Sequence, residues 1–237
     1  MPGERCLIVN ADDLGLSAET NRGIFEAHEH GIVTSASLMV RRGAAPEAAE
    51  RARAYSRLTV GLHVDLGDWS LENGQWQQTS EIVPLNDVAA VETEISRQLQ
   101  SFEQLTDRKP THLDSHHNVH RDNSLRAIFR KIARRLGVPL RNFNVGVRFC
   151  GAFYGQHNGR PMPDWISSEN LRRIIRELPE GVTELPCHPG FDLELASDYR
   201  EQRPQEVRAL CDPAVRAELE REAVVLRSFA DVPATAN

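Results

Sequence analysis

A chain of 237 residues with 40% apolar and 26% charged residues suits one globular domain spanning 1–237, large enough to bury its own core without staples. The net charge of −6 argues against a nucleic-acid binder, and Cys6, Cys150, Cys187 and Cys211 contain no CxxC pair, which excludes a zinc ribbon or thioredoxin-like site. The opening "MPGER" runs straight into a strand-like stretch with no signal-peptide pattern, and no apolar run reaches membrane length. The expectation is a soluble cytoplasmic protein with no membrane span and no nucleic-acid partner; a homodimer is left open.

In chain order, "CLIVNA" reads as a buried strand, and a helix follows with Ser17 as N-cap and Gly31 as C-cap. "VTSASLMV" is strand-like, "PEAAERARAYS" helical with Pro46 near its first turn, and "LTVGLHVDLG" a third strand. Residues 68–86 are polar and Trp-bearing and read as a long loop. "DVAAVETEISRQLQSFEQLT" is a long amphipathic helix, "THLDSHH" a short strand end, and "DNSLRAIFRKIARRLG" a helix closing at Gly137. "VPLRNFNV" has strand character, and residues 146–165, rich in Gly, Pro and aromatics, read as a second loop. "SSENLRRIIREL" is a helix capped by Ser167 or Ser168, and "GVTELPCHPG" a strand entering a turn. "PQEVRALC" and "PAVRAELERE" are helical, and "AVVLRSFA" is a last strand. Repeated strand–helix units predict an α/β fold with a mainly parallel sheet, open or closed into a barrel. In such folds reactive groups gather at the C-terminal ends of the strands.

They do so here. Asp12 and Asp13 end the first strand, and His63 and Asp65 lie near the end of the third. His112, Asp114, His116, His117 and His120 crowd the fourth, while Glu184 and His188 flank a late strand end. Histidines and a carboxylate converging with an open position point to a catalytic divalent metal, which also relieves the repulsion between two adjacent aspartates. The bland alternatives are a helix cap or turn for Asp12-Asp13 and a satisfied core histidine for His63. His28, His30 and His157 are read as solvated or facing a helix dipole.

"NADDLGLS", "GLHVDLG", "PTHLDSHHNVH", "FYG" and "ELPCHPG", in this order from Leu7 to about Val232, resemble the YdjC-like (ChbG/HpnK) carbohydrate deacetylases. The resemblance implies an irregular (β/α) barrel like that of the polysaccharide deacetylases. It also implies divalent-metal-dependent removal of acetyl groups from N-acetylated sugars such as chitooligosaccharides. Carried over by motif, the resemblance implies Asp13, His63 and His116 as the metal ligands, Asp12 as the general base and His188 as the general acid or an oxyanion-side partner. Asp114 orients a histidine, and His117 and His120 either support the ligands or touch substrate, as Glu184 does. Where family members often have three successive histidines, this chain has His116, His117 and Asn118, and the stretch after Gly67 is shorter than in some members.

One divalent ion, zinc or magnesium, is implied as cofactor; two histidines and one aspartate suit zinc better by donor type. A small-molecule or oligosaccharide substrate needs stacking platforms, for which Trp69, Trp76, Phe153, Tyr154 and Trp165 are candidates. Arg42, just after the second strand, is read as a solvated arginine, with substrate contact as the alternative. Other classes left open are a metal hydrolase of another amide or ester and a non-catalytic sugar-binding protein.

Overall fold

The structure, a computed structural model, describes residues 3–72, 74–192 and 198–233, without the side chains of Glu72 and Trp76. Its strands are β1 (Arg5–Leu14), β2 (Ser35–Leu38), β3 (Thr59–Val64), β4 (Gly67–Glu72), β5 (Gln75–Glu81), β6 (Leu113–Ser115), β7 (Val147–Phe149), β8 (Gln156–His157), β9 (Arg160–Pro161), β10 (Gly181–Cys187) and β11 (Val224–Arg227). The helices are α1 (Ala18–Glu29), α2 (Ala45–Ala52), α3 (Val88–Thr106), α4 (Arg126–Leu136), α5 (Ser168–Arg176), α6 (Arg203–Leu210) and α7 (Pro213–Arg221).

The main sheet is parallel throughout and runs β6-β3-β2-β1-β10-β7. β1 is its hub. β10 takes one edge, while β11 pairs with Arg5–Ile8 and β2 with Asn10–Leu14 on the other. The sheet then curls toward closure through one irregular segment. Leu140 bridges Leu113 of β6, and a few residues later β7 pairs with β10. The strand expected over 138–145 is therefore only this single bridge, followed by a turn. The interruption leaves Arg141 on the inner face of an incompletely closed barrel, consistent with the irregular (β/α) barrel expected.

Side-chain alternation explains how apolar-looking strands carry a polar site. Leu7, Val9 and Ala11 of β1 pack into the large core beneath the helices. The alternate residues point the other way: Ile8 joins a small apolar plug with Phe229, Val232, Val147 and Val182, and above it come Asn10 and Asp12. Ser37, His63, His112, Asp114 and Glu184 join this inner face, linked by hydrogen bonds. Gly61 faces the same space, because a Cβ there would lie 2.4 Å from the His112 ring.

Ser17 caps α1 through Thr20 N–H as expected, but the C-terminal cap is His30 and not Gly31. Ser167 caps α5 through Asn170 N–H. α2 buries Ala45, Ala48, Ala49 and Ala52, a flat face that lets it lie close to its neighbours. α3 buries Glu94 and Gln98 because both have partners: Gln98 bonds both main-chain groups of Asp65, and Glu94 pairs with Arg41.

Residues 68–86 depart from the loop reading. β4 and β5 form an antiparallel hairpin across them, with Trp69 opposite Gln78. The second supposed loop contains β7, the short β8–β9 hairpin and a 3-10 turn over Pro163–Ile166. No helix among the described residues is long and apolar enough to cross a membrane.

Candidate active site

The C-terminal end of β1 puts Asp12 and Asp13 on opposite errands. Asp13 adopts φ 68°, a left-handed backbone that turns its carboxylate away from that of Asp12. Asp13 Oδ1 lies 3.4 Å from His63 Nε2 and 3.1 Å from His116 Nδ1. Oδ1 is nevertheless buried without a hydrogen-bond partner. Two imidazole nitrogens facing an unsatisfied carboxylate oxygen make the three donor atoms a divalent cation requires, so Asp13, His63 and His116 fit one.

Among the described residues two other groups have the spacing, but arginines already hold their carboxylates. In Asp12–His63–Asp114, Arg141 already sits on both carboxylates. In Asp68–His116–His117, Asp68 is paired with Arg42.

The proposed ligands are held from behind. His63 Nδ1 lies 2.8 Å from Asp114 Oδ1, which fixes the ring and turns Nε2 toward Asp13. Burial opposes charge on His63, but Asp114 and Asp13 push its imidazole up to about 10. His116 starts an irregular turn in which His117 and Asn118 have φ values of 51° and 54°; its Nε2 meets Asp68 Oδ1 at 3.1 Å. Burial also works against the Asp13 carboxylate, yet Arg203 and the two imidazoles hold it well below the usual range. Arg203 donates to Asp13 Oδ2 at 2.6 Å and leaves Oδ1 to the histidines.

Asp12 belongs to a separate buried network. Arg141 grips it with two hydrogen bonds of 2.6 and 2.7 Å, and Asn10 donates a third of 2.8 Å. Burial would raise the Asp12 carboxyl, but Arg141 brings it below its ordinary value. The same guanidinium reaches Asp114 at 3.0 Å and Glu184 at 2.6 Å. Burial pushes the Glu184 carboxyl up to about 7 despite Arg141, with Asp114 and Asp12 adding to the rise. His188 follows β10, with Nε2 3.8 Å from Asp12 Oδ2. Burial pulls its imidazole down to about 4.

A cavity of ≈ 490 Å³ reaches the site at His116 and Arg203, and its wall also includes Arg42, Asp68, Trp69 and Tyr154. Trp69 and His117 are shared with a neighbouring groove that includes Phe143 and Asn142. Tyr154 lies edge-on to His188 at 5.5 Å.

Of the residues singled out in the sequence, Asp12, Asp13, His63, Asp114, His116, Glu184 and His188 come together. His117 and Trp69 line the cleft, packed edge to face at 5.2 Å. His120 is buried away from the cavity, held by Ser115 and Asn142. Phe153 is fully buried in the core and offers no platform, while Trp165 packs against His157 outside the cavity lining. The Trp76 side chain lies outside the described residues. Arg42 is not free in solvent but paired with Asp65 at 2.8 Å and Asp68 at 2.9 Å. Sequence reasoning missed Arg141, Arg203, Asp68, Tyr199 and Glu206.

Comparison with known proteins gives the family and the fold. Residues 6–221 match the family described as YdjC-like protein. The chain belongs to the YdjC-like family. It is 32% identical to a carbohydrate deacetylase of Geobacillus stearothermophilus, covering 95% of this chain and 97% of that one. It is also 32% identical to a chitooligosaccharide deacetylase of Serratia marcescens, over 97% and 100% of the two chains. An Enterococcus faecalis crystal structure provisionally assigned to cellobiose-phosphate cleavage superposes with a TM-score of 0.81 at 25% identity, over 97% and 99% of the chains. A family 4 carbohydrate esterase from Streptomyces lividans, in complex with acetate, shares the fold at a TM-score of 0.56 and 16% identity, over 99% and 97%. This YdjC-like chain thus sets its cluster at the mouth of a barrel shared with carbohydrate esterases.

Proposed function

We propose that this protein is a metal-dependent deacetylase that hydrolyses the acetamide of an N-acetylated amino sugar or short chitooligosaccharide, releasing acetate. The observation that carries the reading is the unsatisfied Asp13 Oδ1 facing His63 Nε2 and His116 Nδ1, with Asp12 and His188 beside it. The names of the curated relatives support the substrate class.

Asp13, His63 and His116 would hold one divalent ion, zinc or magnesium, whose chemistry is to activate water and polarise the scissile carbonyl. Arg141 keeps Asp12 ionised and aimed, so that Asp12 accepts the proton of the attacking water. His188 rests neutral 3.8 Å from Asp12, a gap that one water bridges, so that the proton passes through that water to His188 and on to the nitrogen as the C–N bond breaks. Trp69 and Tyr154 give the sugar two aromatic faces in the cavity.

The test is acetate release from a panel of N-acetylated sugars by the zinc- or magnesium-loaded protein, with Asp12→Asn and His63→Ala alongside. Release by the wild type, reduced at least a hundredfold in Asp12→Asn and lost in His63→Ala, is expected. A protein that binds the metal but releases no acetate from any of them would sink the reading.

A further inference from the structure

His188 lacks the support that His63 receives. Among the described residues, its Nδ1 is buried without a hydrogen-bond partner and its Nε2 has only Asp12, at 3.8 Å. Its position is set instead by its main chain and by ring contacts. The His188 N–H donates to Glu206 Oε2, and the Tyr199 hydroxyl donates to Glu206 Oε1. That same hydroxyl accepts the N–H of Gly155. The Tyr199 ring lies edge-on to His188 at 5.3 Å and stacks on Tyr154 at 4.7 Å. One carboxylate therefore joins the end of β10, the first turn of α6 and the stretch that carries Tyr154.

Glu206 is fully buried and Tyr199 nearly so. Burying a carboxylate on a peptide N–H and a phenol, with no cation in contact among the described residues, is costly. A neutral acceptor could link the same backbone at lower cost. Both carboxylate oxygens are needed because each serves a different donor, and one of those donors is the backbone of His188.

We propose that Glu206 and Tyr199 are positioning residues that fix His188 between Asp12 and the bound sugar and tie that placement to Tyr154. The inference rests on the deacetylase reading for its chemistry but not for its contact geometry.

The experiment compares wild type, Glu206→Gln and Tyr199→Phe as full-length, zinc-loaded protein. Four quantities are read: acetate release from an N-acetylated oligosaccharide, zinc affinity by competition with a chelating dye, thermal unfolding, and the His188 ring titration by NMR. The Gln amide offers one acceptor oxygen, so one of the two donors loses its partner. Since misplacing a catalytic group by about 1 Å can cost on the order of a hundredfold, kcat should fall at least tenfold in Glu206→Gln and less in Tyr199→Phe. KM and zinc affinity should stay within about twofold, and the His188 titration should move in both variants. Unchanged kcat and titration overturn the proposal. So does a lower unfolding temperature with kcat and KM changing together and the titration unmoved, which is the mark of a structural brace. If Glu206→Gln does not fold, Tyr199→Phe decides alone. If the wild type releases no acetate, the deacetylase reading fails, and an unmoved His188 titration separately overturns the positioning.

Discussion

Arg203 holds Asp13 by one oxygen only, Nη2 to Oδ2 at 2.6 Å, and so dictates which oxygen faces the two histidines. Both residues are buried, at 3% and 2% exposure. Removing one member of a buried pair costs about 3–5 kcal/mol, because the other charge is left unpaired. A metal ion would recover part of this loss by drawing on the freed oxygen. Arg203→Met should therefore lower the unfolding temperature of the metal-free protein more than that of the loaded protein. The rise in unfolding temperature on adding zinc should be larger than in wild type. Equal losses with and without zinc would show that Arg203 braces the fold and not the ligand.

Metal binding should depend on pH with a definite sign. The empty site raises both His63 and His116, and His63 reaches about 10. Near neutral pH His63 thus holds a proton where the cation belongs, and binding must expel it. Apparent affinity should rise with pH, about tenfold per unit for each proton displaced. Titration calorimetry in buffers of different ionisation heat counts the released protons. Zero release at pH 7 would show that these imidazoles are not the ligands.

Much of this was readable in the sequence, because strand-end position and residue type travel together. Asp12-Asp13, His63, Asp114, His116 and His188 all follow short apolar runs, where a parallel sheet gathers its chemistry. The hairpin was also legible: Asn73-Gly74 between Glu72 and Gln75 is a strong two-residue turn signal. Its polar flanks hid it, since this ribbon lies off the main sheet and has no apolar alternation to display. Arg141 could not be found locally. It sits where a strand breaks, and its meaning comes from Asp12, Asp114 and Glu184, brought in from three other strands. Arg203 and Glu206 left a fainter trace, falling with Val207 and Leu210 on one buried stripe of α6. Charged residues on the buried face of a helix call for partners, and these find Asp13 and His188.

The inner-face network predicts two opposite outcomes from neighbouring changes. Arg141 bonds Asp12, Asp114 and Glu184 at once, so Arg141→Met takes the guanidinium from three buried carboxyl groups and leaves Asp114 to His63 and Asp12 to Asn10. It should cost at least about 3–5 kcal/mol in urea unfolding and abolish activity. Glu184 should tolerate Gln, because burial already lifts its carboxyl to about 7 and the amide oxygen still accepts from Arg141 Nε. The sign of the pH effect follows from that rise. A carboxyl with a raised folded-state pKa favours the fold below its unfolded value near 4.5, and this contribution fades as pH climbs through about 7. Glu206, also lifted to about 7 by burial, acts with the same sign, whereas the depressed imidazole of His188 acts with the opposite one, so the Glu184 contribution is read as a difference: between pH 5 and 8 the stability of Glu184→Gln should gain on that of the wild type as pH rises. Urea midpoints of wild type and Glu184→Gln across that range decide it. Parallel curves would mean that Glu184 stays ionised against Arg141 throughout.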